Sequence, residues 1–177
     1  MDFRQNYFEL FGLPVGFEID IKALTARYRD LQKALHPDRF ANAPDQERRL
    51  SLQQAAQINS GYETLRDPLA RARYLLELQG VAYDSESSTI SDLEFLEEQI
   101  ELREQLAEIR HDDDPSEALG SFMAQLDARS REYVEALRVV FAQREAVDTA
   151  KAKNLVQRMQ FIHRLQQEAE ALEEELL

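Results

Sequence analysis

Residues 21–40 read IKALTARYRDLQKALHPDRF, and the spacing within this stretch decides the fold. With Lys22 set at 0° and about 100° per residue, Ile21, Leu24, Tyr28, Leu31 and Leu35 fall between roughly 180° and 260°, which is one apolar face of a helix. Lys22, Arg29, Lys33 and His36 lie within about 40° of zero, on the opposite side. Asp20 precedes the periodic run and is placed to cap its first turn. Pro37 ends the helix, because it has no N–H to donate and disfavours helical geometry at His36. An amphipathic helix with a basic outer face thus delivers the chain into a His36-Pro37-Asp38 turn.

Working outward, a short helix is expected around Tyr7–Phe11. A polar connection, Phe40 to Pro44, leads into a long helix from about Asp45 to Leu65. Asp67-Pro68 reads as a cap followed by proline at the first helical position. The helix it opens runs to about Gln79, and Gly80 stands where a C-terminal cap belongs. Residues 81–90, VAYDSESSTI, break the periodicity and read as a linker. Ser91 and Glu94 form a capping-box pair that opens a helix to about Arg110. HDDDP (111–115) is a turn, and helices from about Pro115 to Gln143 and Val147 to Leu177 complete an antiparallel three-helix bundle. The expected fold is all-α, with units at 1–80 and 91–177.

Composition agrees. The 177 residues contain only 5 Gly and 5 Pro, and are rich in helix formers. Cysteine is absent, which excludes disulfides and thiolate metal sites. Asp2, Arg4 and Glu9 interrupt the start, so no signal peptide is read there, and no apolar run approaches the ~20 residues of a membrane span. A cytoplasmic protein is expected. Residues 1–80 carry 11 basic and 11 acidic side chains, while residues 81–177 carry 10 and 23. The acidic second half would repel phosphate backbones, which argues against nucleic acid. It also suggests that the two halves meet different partners.

His-Pro-Asp alone is a weak signal, since His suits a helix C-terminus, Pro stops a helix and Asp caps a turn. Its setting is more specific. Tyr28 and Leu31 ahead of it, with Ile58-Asn59, Tyr62, Leu65, Asp67-Pro68, Arg71-Ala72 and Tyr74 behind, make residues 3–76 resemble a J domain. Ala34 and Leu35 stand where that family usually has basic and aromatic residues, and Asp30 replaces a basic one. These departures point to a specialised chaperone partner. Neither the Gly/Phe-rich segment nor the Cys-x-x-Cys modules of general DnaJ-like proteins follow. The opening NYFELFGLP, the HPDRF loop and FLEEQIELREQLAEI (95–109) resemble the HscB family, the J-type co-chaperones of bacterial iron–sulfur cluster assembly.

The resemblance implies a partner ATPase of the HscA type and a cargo, the IscU-type cluster scaffold. It gives Asp38 the role of accepting hydrogen bonds from a partner arginine, with His36 and Pro37 shaping the loop. Lys22, Arg29 and Lys33 would steer toward an acidic groove. The chain would carry out no chemistry itself and needs no cofactor or metal. An enzyme using His36 and Asp38 is disfavoured, for want of a pocket, a nucleophile and an orienting group. A J-domain protein serving another cargo and a general DnaK-type chaperone is the alternative.

The helix at 91–110 has two apolar stripes. Phe95, Leu102, Leu106 and Ile109 share one face within about 40°, and Leu93, Leu96 and Ile100 lie roughly 100° to 160° away among glutamates. The second stripe is either buried between two neighbours or an exposed patch rimmed with acid. The resemblance places the scaffold contact there, on Leu96, Ile100, Glu101 and Glu104. It adds Phe161, about 70° off the expected core stripe of Leu155, Met159, Ile162, Ala169 and Leu176. The family usually has Met where Glu97 stands. His111 with Asp112, Asp113 and Asp114 reads as a solvated turn rather than a metal site, and His163 reads as structural.

Overall fold

A computed structural model describes residues 5–35, 43–81, 93–143 and 147–176. These residues form seven α-helices and one 3-10 turn, and no strand occurs among them. The chain divides into two compact units, Met1–Leu75 and Leu76–Leu177.

The first unit holds α1 (Tyr7–Leu10), α2 (Ile21–Ala34), α3 (Asp45–Arg66) and most of α4 (Pro68–Leu78). Each begins where short-range chemistry dictates. The amide of Glu9 donates to Asn6 Oδ1 and the amide of Asn6 to Glu9 Oε2, both at 3.0 Å, a reciprocal capping box. Asp20 accepts from the amides of Lys22 and Ala23 at 2.9 and 3.0 Å. Asp67 accepts from the amide of Ala70 at 2.6 Å, with Pro68 opening α4. At the far end of α4, Gly80 has φ of 75°. The Val81 amide reaches Leu76 O at 3.0 Å and the Gly80 amide reaches Glu77 O at 2.9 Å, a Schellman cap that only glycine enters without strain.

Phe8, Phe11, Leu24, Ile58, Leu65 and Ala72 form the core of this unit. α1 crosses α3 at Gly61, where a Cβ would stand 2.9 Å from Tyr7 Cδ1. The Tyr7 amide donates to the Tyr74 hydroxyl at 3.0 Å, and the two rings stack at 4.7 Å. Tyr28 on α2 stacks on Tyr62 of α3 at 4.0 Å, and its hydroxyl donates to Asn59 Oδ1 at 3.0 Å. The apolar face of α2 is less deeply covered than its periodicity suggests. Only Leu24 is fully buried, Tyr28, Leu31 and Leu35 are half-buried, and Ile21 is 41% exposed. The reason is that α2 packs chiefly on the single helix α3, and one neighbour covers a narrower strip than two.

The second unit holds α5 (Leu93–Glu108), the 3-10 turn Ile109–His111, α6 (Pro115–Phe141) and α7 (Thr149–Leu176). Asp114 caps α6 through the Glu117 amide at 3.0 Å, and Asp148 caps α7 through the Lys151 amide at 2.9 Å. α6 and α7 run antiparallel: Asp127 accepts from Gln166 Nε2 at 2.7 Å, and Arg110, just before α6, pairs with Glu175 at 2.6 Å. Leu126, Leu137, Val156, Ile162 and Leu165 are almost wholly buried between them. α5 adds Phe95 and Leu102, and Ile109 follows. Leu176, expected in the core, is 37% exposed, because the outermost turn of a helix hairpin has neighbours on one side only. The expected linker lies almost wholly outside the described residues, as does Ser91 of the expected capping box.

Candidate partner-binding surfaces

The first surface begins on α2. Lys22, Arg29 and Lys33 are exposed along one side of the helix. The helix ends at Ala34, with the Leu35 amide bonded to Leu31 O at 3.1 Å, so it stops just before His36. His36, Pro37 and Asp38 themselves lie outside the described residues. Beside the helix end is a groove of about 460 Å³ lined by Arg29, Gln32, Lys33, Leu35, Ala55, Ile58 and Asn59. Sequence reasoning missed this hollow. Its one visible cue is the alanine at 55, a small side chain that lines it together with Leu35.

The second surface lies on α5. Leu93, Leu96 and Ile100 are 75%, 43% and 50% exposed, and Glu97, Glu101 and Glu104 around them are exposed too. Of the two readings of this stripe, burial between neighbours is therefore wrong. The first stripe behaves as expected, with Phe95, Leu102 and Ile109 buried and Leu106 half-buried. Phe161 needs a correction. Expected to stand outside the core of its helix, it is only 7% exposed. α5 packs against α7 and brings Phe95 onto this side of it. Phe95 meets the Phe161 ring edge-on at 5.8 Å, and the Arg103 guanidinium lies 5.8 Å from the ring centre.

Sequence reasoning also missed the polar cluster behind α5. Glu98 pairs with Arg129 Nε at 3.3 Å and accepts from Arg158 Nη1 at 3.5 Å and the Tyr133 hydroxyl at 3.3 Å. Burial, above all, raises the Tyr133 phenol above its ordinary value, and the Glu98 carboxylate adds to this. The hydrogen bond to Glu132, followed by the charge of Glu98, holds Arg129 more firmly protonated. Nothing in the local sequence announces this meeting, because its members come from three helices.

The remaining histidines described show no ligand chemistry. His111 closes the 3-10 turn, where Asp112 accepts from the Asp114 amide at 3.0 Å and Asp114 caps α6. Among the described residues no three His, Asp or Glu side chains gather into a metal-holding group. His163 is exposed, with Gln167 at 3.3 Å, rather than part of the packing. No described helix is long and apolar enough to cross a membrane.

Comparison with known proteins accounts for the combination of units. Residues 91–170 match the family model described as the HSCB C-terminal oligomerisation domain. The Co-chaperone protein HscB homolog of Vibrio cholerae is 45% identical over 172 residues, covering 97% of this chain and 99% of that protein. The solved structure of chaperone HscB from Vibrio cholerae superposes with a TM-score of 0.87 at 44% identity, covering 98% and 100% of the two chains. The human co-chaperone HscB superposes with a TM-score of 0.89 at 26% identity, covering 98% of this chain and 84% of that one. The fold is accordingly a J domain followed by a C-terminal helical bundle. With likeness at this level along nearly its entire length, the chain belongs to the HscB family of co-chaperones.

Proposed function

We propose that this co-chaperone stimulates the ATPase of a specialised DnaK-type chaperone of the HscA type, and delivers to it the IscU-type scaffold protein during iron–sulfur cluster maturation. Residues 1–80 carry the stimulating activity and residues 91–177 the cargo surface, with 81–90 as the tether. Such a protein would work in the cytoplasm. The observation that carries the reading is the exposed Leu93, Leu96 and Ile100 row with its glutamate rim, in a chain like the HscB co-chaperones from end to end. An exposed apolar row bordered by charge suits a protein partner better than water alone.

His36, Pro37 and Asp38 form the contact that triggers the ATPase, with Asp38 accepting charge-assisted hydrogen bonds from a partner arginine. Lys22, Arg29 and Lys33 provide attraction toward an acidic surface. Leu96 and Ile100 are the apolar anchors of the cargo contact, and Glu101 and Glu104 fix its orientation. Phe161 contributes from beneath, as the aromatic support on which Phe95 and Arg103 rest. The co-chaperone acts by binding the hydrolysis-competent state of its partner more tightly than the other, which is how one protein speeds another's reaction. Steady-state ATP turnover by an HscA-type chaperone tests this directly. Turnover rises when this protein is added and rises further with IscU-type scaffold, whereas a scaffold that adds nothing would refute the cargo assignment.

A further inference from the structure

α5 is held to its bundle by little apolar material: Phe95 and Leu102 are its buried residues. Glu98 lies between them, and its side chain is 19% exposed. Both other helices of the bundle converge on that one carboxylate, α6 through Arg129 and Tyr133 and α7 through Arg158. Arg158 is itself 17% exposed and does double duty. Its guanidinium lies 4.6 Å from the centre of the Phe95 ring, one turn before Glu98, and its Nε donates to Asn154 Oδ1 at 3.0 Å. Leu96 and Ile100 flank Glu98 at two residues on either side, which places them about 200° around the helix from it. The carboxylate therefore grips the back of the turn whose front carries the exposed leucine and isoleucine.

We propose that Glu98 is a positioning residue for the cargo surface: drawn inward by α6 and α7 together, it fixes the rotation and height of this turn and keeps Leu96 and Ile100 facing outward as a rigid pair. The proposal rests on the reading of this α5 face as the cargo contact. Its physical basis is twofold. Charged groups this far withdrawn from water are costly to leave unpaired, so the helix stays where all the partners are satisfied. A surface already held in its binding shape has less ordering to undergo when a partner arrives.

Amide hydrogen exchange and calorimetric binding of a purified IscU-type scaffold to the full chain test it. The variants are Glu98→Ala, Glu98→Gln, Leu96→Ala/Ile100→Ala and, as a control for general core loss, Leu165→Ala. Glu98→Ala speeds exchange across residues 94–102 and weakens scaffold binding, each about tenfold, while amides in the α6–α7 core keep their protection. Glu98→Gln keeps an acceptor for Tyr133 and falls between Glu98→Ala and wild type. Leu165→Ala lowers the melting temperature but leaves α5 exchange and scaffold affinity in the native state unchanged. Unchanged exchange over α5 in Glu98→Ala overturns the proposal. So does faster exchange with unchanged affinity, when Leu96→Ala/Ile100→Ala still weakens binding. If that double variant binds like wild type, the surface reading has failed instead. The α5 exchange then decides by itself whether Glu98 holds the helix.

Discussion

Asp38 and Gly61 illustrate opposite kinds of single-residue constraint. Asp38 follows a helix that stops at Ala34, and the constraint proposed for it comes from a partner. On the proposed function, Asp38→Asn and His36→Gln each abolish ATPase stimulation while shifting stability by less than ~0.5 kcal/mol, the range of typical surface substitutions. Thermal melts beside turnover assays check this, and a large drop in melting temperature would make the tripeptide a structural turn. Gly61 is constrained by packing. A Cβ there would meet Tyr7 Cδ1 at 2.9 Å and Phe11 Cε2 at 3.1 Å. Alanine is the better helix former, yet Gly61→Ala is expected to destabilise by about 1–3 kcal/mol, because the buried Phe11 ring and the Tyr7 ring stacked on Tyr74 must both shift. Denaturant titration would read this, and a stabilised variant would mean that α1 rides easily on α3.

Helix by helix, the contrast lies between residues a helix spends on packing and those it leaves for a partner. On α5 and α7 the two are now separable. Phe161→Ala removes a buried ring held by Phe95 and Arg103, and is expected to cost about 3–5 kcal/mol in unfolding experiments. Leu96→Ala/Ile100→Ala removes side chains that are 43% and 50% exposed, so its melting curve should stay close to wild type while scaffold affinity falls roughly tenfold or more per residue. A melting loss as large as that of Phe161→Ala would place these side chains in the bundle core. On α2, charge reversal at Arg29 and Lys33 should slow association with the ATPase chaperone far more than it speeds dissociation, and wild-type association should slow as salt rises. Stopped-flow rates across a salt series would show it, and flat rates would mean that the basic side of α2 plays no part in steering.

At the level of the whole chain, charge is divided unevenly, neutral over residues 1–80 and strongly acidic beyond, and the chain splits into two compact units close to that point. Separate surfaces on separate units imply separable activities. Residues 1–80 alone should still stimulate basal turnover by the chaperone, since His36, Pro37, Asp38 and the α2 cations all lie within them. The same fragment should fail to recruit scaffold, because Leu96, Ile100 and Phe161 are missing. Turnover measured with the fragment, with and without scaffold, decides the matter. A fragment that responds to scaffold as the full chain does would move the cargo surface into the first unit.

Features that close over a few residues were the most legible in the chain. The Asp20 and Asp67 caps, the Gly80 cap and the buried stripe of α5 depend on partners within one or two turns, so local order suffices to specify them. The exposure of Leu96 and Ile100 was visible only as one of two possibilities, because a stripe at that angle can be buried or bare depending on what crosses it. Phe161, Ile21, Gly61 and Glu98 were out of reach for the same reason. Their surroundings are set by residues from 31 to 66 positions away, as Arg129 is for Glu98 and Phe95 for Phe161. Helical periodicity fixes the direction a side chain takes from its own axis. Which direction is covered depends on how neighbouring helices cross, and that is settled only when the bundle packs.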